Sequence, residues 1–146
     1  MKKILEKPHL FFFALIPLFI IVGLLNINVP INITISYIYY LINVDFWCYI
    51  SAVYCGLIGI NYLSLNIIKK KPKKGLTFLH IVFQLLCIIP YFFAVFQLDE
   101  NGYFPENSIL NSSAFSTILV FCFLLFILSV FIHLINFFSS LLLKTD

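Results

Sequence analysis

The chain has 146 residues, 62% of them hydrophobic and only 10% charged, where an ordinary soluble domain carries about 25% charged residues. That balance excludes a disordered chain, a collagen-like chain and a soluble globule. All nine basic residues are lysine, and a net charge of +3 held at the edges of apolar runs is too weak for nucleic-acid binding.

Charged residues divide the chain into four uncharged stretches, Pro8–Val44, Phe46–Ile68, Gly75–Leu98 and Asn107–Leu143. A helix needs about 20 apolar residues to cross a bilayer core. The sequence therefore predicts an all-α, four-helix membrane bundle in one domain, residues 1–146, with spans over about 10–25, 46–68, 75–98 and 116–143. The first span follows Met1-Lys2-Lys3, as a signal peptide would. Glu6 interrupts its basic region, however, and Leu25-Asn26-Ile27-Asn28 offers no small-x-small cleavage site, so a retained helix is expected.

Between the first two spans, Asn26–Tyr37 alternates polar and apolar residues and reads as an extended outer segment. Tyr37, Tyr39, Tyr40, Trp47 and Tyr49 follow as an interfacial aromatic belt, with Asp45 as a charge marking the start of the second span. Asn32-Ile33-Thr34 and Asn111-Ser112-Ser113 match glycosylation sequons, which carry no weight in a bacterial protein. Four crossings put Lys2, Lys3, Lys7, Lys69, Lys70, Lys71, Lys73, Lys74 and Lys144 on one side, which the positive-inside rule makes cytoplasmic. Asp45, Asp99, Glu100 and Glu106 fall on the other. The Lys69–Lys74 cluster reads first as a topology determinant gripping anionic headgroups and second as a nucleotide or lipid-signalling site. The excess of Ile, Phe, Asn and Lys, with no Arg, suits a low-GC bacterial genome. The expected location is a bacterial inner membrane with both termini cytoplasmic.

In lipid, small and polar residues mark the face turned towards other helices. The second span carries Cys48, Ser51, Cys55, Gly59, Tyr62 and Asn66 at intervals of three and four, and the third carries His80, Gln84, Cys87 and Tyr91. The fourth has Ser129, His133, Asn136 and Ser140 in the same spacing. These stripes are expected to meet, with Cys55, Gly59, Tyr62, Gln84, Ser129 and Asn136 as helix-packing residues. Pro17 and Pro90 are expected to bend the first and third spans. The four cysteines form no Cys-x-x-Cys pair and read as small buried hydrophobes. No metal-hydrolase cluster or Gly-rich phosphate loop is present.

Intramembrane histidine is the sharpest functional signal, since polar groups in lipid are costly. Counting 1.5 Å per residue from the lysine side places His80 about 8 Å deep and His133 about 15 Å deep. That offset counts against one haem held between them, while hydrogen bonding across helices suits both. No catalytic residues and no metal site are expected, and haem bound by His80 and His133 is the alternative.

The order of features from Ile31 to Leu142 resembles the C-terminal three helices of haem-copper oxidase subunit I. The corresponding pieces are Asn32–Tyr40, Gly56-Leu57-Ile58-Gly59 before Tyr62, Leu79-His80, Asn101-Gly102-Tyr103-Phe104-Pro105 and Asn136-Phe137-Phe138-Ser139-Ser140-Leu141. The opening Lys7-Pro8-His9-Leu10-Phe11-Phe12-Phe13 is similar to short bacterial membrane proteins related to that subunit. The family's haem-ligating His-x-His falls at Asn43 and Asp45, and no histidine occurs between His9 and His80. The copper-binding histidines belong to earlier helices that this segment does not contain. The resemblance thus implies an inherited fold without the oxygen-reducing centre: a non-catalytic structural or accessory subunit of a membrane complex, with a respiratory complex as the kind that the resemblance suggests. Its expected partners are the lipid bilayer and a membrane protein or further copies of itself. An electron-transfer protein with haem, and a membrane effector or immunity protein, are the alternatives.

Overall fold

A computed structural model describes residues 5–35, 38–105 and 112–142. Four helices form: α1 (Pro8–Leu25), α2 (Val44–Ile67), α3 (Lys74–Val95) and α4 (Ser112–Leu142). All four are long and apolar enough to cross a membrane, with mean hydropathies from 1.4 for α2 to 3.1 for α4. Pro17 and Pro90 lie inside continuous helices, because the flanking apolar residues keep the remaining backbone bonds out of solvent. Lys2, Lys3, Tyr37, Glu106, Asn111 and Lys144 lie outside the described residues.

The outer segment is extended as expected, but it does not stand alone. It is a two-stranded antiparallel hairpin, β1 (Pro30–Ile35) and β2 (Ile38–Asn43), paired from Pro30–Asn43 through Ile35–Ile38. β2 occupies the stretch expected to be only an aromatic belt. Aromatic and β-branched residues satisfy an interface and a strand equally well, so their composition does not separate the two. Tyr40, Trp47 and Tyr49 are nonetheless exposed, as a belt requires.

The helices assemble as two antiparallel pairs. In the first pair, Gly23 approaches Cys48 and Tyr49, Gly56 approaches Ile16, and Gly59 approaches Phe13. A Cβ at Gly59 would stand 2.5 Å from the Phe13 ring, so any larger residue would have to push that ring or the helix aside. In the second pair, Cys87 Sγ donates to the Cys122 carbonyl at 3.2 Å, and Asn136 Nδ2 donates to Thr77 Oγ1 at 2.9 Å. The two pairs join through side chains. Phe12 stacks on Tyr62 and His80, Phe19 meets Phe92 edge-on, and Cys48 Sγ lies 3.7 Å from Tyr91 Oη.

The ends of the bundle differ in charge. Leu5, Glu6, Pro8 and His9 line one cavity together with Lys70, Lys71, Pro72 and Lys74, and Lys70 Nζ donates to the Leu141 carbonyl, so the described lysines gather at one end. At the other end Gly102 rests on Pro30, bringing the Asp99–Tyr103 turn onto the hairpin. Asp99 holds that turn through its Oδ1, which accepts from the amides of Asn101 (2.9 Å) and Tyr103 (2.7 Å).

Candidate functional site

The bundle interior contains a polar core near the lysine-bearing end. On α3, Thr77, His80, Gln84, Cys87 and Tyr91 recur every three or four residues, and all are buried. Ser129, His133, Asn136 and Ser140 on α4 are buried likewise, so the two stripes face each other. α2 contributes Cys55, Gly59 and Tyr62, all buried. Two members of the expected α2 stripe depart from it. Ser51 turns back to the Trp47 carbonyl at 2.9 Å, and Asn66 is exposed. Ala52, Ile58 and Leu65 fill that face instead, because apolar side chains pack as well as polar ones where glycine has already set the helix separation.

Tyr62 Oη and His80 Nδ1 are 3.0 Å apart, and Asn61 Nδ2 lies 3.2 Å from His133 Nε2. Asn136 is the hub of the network. It donates to Thr77, accepts from the Lys73 amide at 2.9 Å, and its carbonyl accepts from Ser140 Oγ at 2.6 Å. Ser129 Oγ donates to the His80 carbonyl at 3.4 Å, and Tyr54 Oη to Gln84 Oε1 at 3.5 Å. Sequence spacing missed Asn61, Tyr54, Thr77 and Phe12. Thr77 was detectable, since it extends the α3 stripe by one step of three. Phe12 gave no signal, because an aromatic residue among aromatic residues marks no face in lipid.

The two imidazoles sit closer than helix counting implies. Their ring centroids are 5.0 Å apart, tilted by 38°. The reason is that α4 runs past the lysine loop, so Asn136 is level with the start of α3 and His133 is one turn further in. Depths counted from chain ends therefore exaggerate the offset. Each ring retains one buried nitrogen, Nε2 of His80 and Nδ1 of His133, with no hydrogen-bond partner among the described residues. Haem takes axial ligands from opposite faces of a planar macrocycle. Placing one between these rings would force them apart and displace Phe12, which stacks on His80 at 4.9 Å. As packed, the pair does not fit haem. Among the described residues, no group of three His, Cys, Asp or Glu is arranged to hold a metal ion. The four cysteines are buried and free.

No family model, curated protein or solved structure matches the chain.

Proposed function

We propose that this chain is a non-catalytic subunit of a bacterial inner-membrane complex, with its lysine-bearing end in the cytoplasm. The observation carrying this reading is the outer face of α4. Only 17% of its most apolar window is buried within the bundle, against 39–44% for the other helices. On that open face Phe121, Leu124, Leu128, Phe131, Ile135 and Phe138 are all exposed. Their spacing of three, four, three, four, three is that of a heptad seam; large apolar side chains suit lipid as well as a partner helix, and the partner is the reading proposed. The polar core supports the same reading, because its hydroxyls, amides and imidazoles are engaged in holding helices together. The resemblance of Gly56–Gly59, Leu79-His80 and Asn136–Leu141 to haem-copper oxidase subunit I suggests a respiratory assembly, and rests on those motifs alone.

The test is mild-detergent purification from the native host, with mass spectrometry of co-purifying chains and a visible spectrum. The expected result is a stoichiometric membrane-protein partner and no Soret band in the isolated chain. Leu124→Ala combined with Phe131→Ala should release the partner while leaving thermal stability nearly unchanged, because both side chains lie outside the core. A single-chain particle at native expression would refute the subunit reading. A Soret band lost in both His80→Ala and His133→Ala would instead support electron transfer.

A further inference from the structure

The lysine-bearing end contains a feature that topology alone does not require. A cavity of about 350 Å³ opens between the helices there, within the size range of small-ligand sites. His9 lines it from α1, Tyr62 and Asn66 from α2, and Lys70, Lys71 and Lys74 from the α2–α3 linker and the start of α3. Among the described residues Glu6 is the single carboxylate on the wall, so three cations face one anion. We propose that this cavity is a binding site for a phosphate group, carried by an anionic lipid headgroup or by free phosphate.

Three independent features converge on it. The lysines come from a short linker and one helix start, which directs several cations into one concave space; basic pockets between membrane helices hold phosphorylated headgroups in this way. Two helices also begin here. The N-cap residues of α1 and α3, Lys7 and Lys73, make no side-chain capping bond; the Lys73 amide is bonded to Asn136 Oδ1, and the positive ends of both helix dipoles still favour an anion nearby. Finally, His9 is only 7% exposed, lines the cavity, and has a buried Nδ1 with no partner among the described residues.

A charged surface that merely sets topology would not distinguish lysines by position, whereas a cavity does. Lys71 and Lys74 line it, and Lys69 and Lys73 do not. All four are exposed, so their replacement leaves the core intact. The experiment measures binding of fluorescent phosphatidylglycerol to the full chain in neutral detergent, with unlabelled phosphatidylglycerol, phosphatidylcholine or inorganic phosphate as competitors. The expected loss in Lys71→Gln/Lys74→Gln is roughly 10- to 30-fold, from about 1 kcal/mol per lysine. Lys69→Gln/Lys73→Gln, with the same change in net charge, should stay within about twofold of the unaltered chain by the same reasoning. Competition by inorganic phosphate would assign the site to free phosphate, and competition by unlabelled phosphatidylglycerol alone would assign it to the headgroup. Equal weakening in the two variants, or phosphatidylcholine competing as well as phosphatidylglycerol, overturns the proposal.

Discussion

Gly102 and Lys69 show how single backbone positions hold this fold, and only one of them is a glycine. Gly102 has φ +76°, and a Cβ there would stand 1.9 Å from the Pro30 carbonyl oxygen. Gly102→Ala should therefore cost about 2–4 kcal/mol, combining a left-handed backbone with an overpacked contact. Thermal unfolding in detergent reads this directly, and an unchanged midpoint would remove the hairpin contact from the account. Lys69, with φ 57°, closes α2. The Lys69 amide bonds to the Asn66 carbonyl and the Lys70 amide to that of Leu65, which is the Schellman arrangement that usually employs glycine. Lys69→Gly should raise stability by up to about 1 kcal/mol in the same assay, through relief of the left-handed strain. In the sequence, Gly102 belongs to a visible Asn-Gly turn, but its contact with Pro30 is tertiary and leaves no local mark. Lys69 reads as charge alone, since nothing in a lysine announces a backbone angle.

At the scale of the elements, the stripes on α3 and α4 are legible because polar residues are scarce in an apolar helix. His80, Gln84 and Asn136 identify the buried face by their cost in lipid. Interhelical bonds of this kind contribute about 0.6 kcal/mol each, so they orient helices more than they stabilise them. α1 is opaque to the same logic. Its packing is set by Gly23 and by the ring of Phe13 against Gly59, and its one buried polar residue, His9 in the first turn, is too little to trace a face. The hairpin is half legible: alternation reveals β1, whereas Ser36-Tyr37 lacks the glycine or asparagine that signals a tight turn. Close approach at Gly59 makes a sharp comparison possible. Gly59→Leu should separate α1 from α2 and lower the unfolding midpoint markedly, while Leu57→Phe, at an exposed position, should be tolerated. Equal midpoints for the two variants would contradict the α1–α2 packing described here.

Across the whole molecule, charge separates by end. Lys70, Lys71 and Lys74 gather with Lys7 at one end, while Asp45, Asp99 and Glu100 lie with the hairpin at the other. Reporter fusions at residue 72 and at both termini should face the cytoplasm, and a fusion at Asn101 the opposite side, as the positive-inside rule requires. A periplasmic reporter at residue 72 would refute this arrangement. The sequence displays that separation openly, because lysine placement is a one-dimensional signal. It conceals the level at which His80 and His133 meet, because that depends on how far α4 overhangs the α2–α3 linker.

The division into two helix pairs bears on how the chain assembles in time. Within each pair the backbones lie together along their length, whereas the pairs meet through contacts such as Tyr62–His80, Asn61–His133 and Phe19–Phe92. Each pair would serve as a complete insertion unit, since two antiparallel spans leave no unpaired backbone in lipid. Helices that are independently stable in a bilayer associate after insertion, so covalent continuity through the linker is not needed for the final docking. Residues 1–71 and 72–146, produced as separate polypeptides in one cell, should therefore find each other and co-purify through a tag on either fragment. Asn61→Leu in the first fragment should weaken that recovery by removing the partner of His133. Fragments that insert but never co-purify would show that the pairs must dock while still joined.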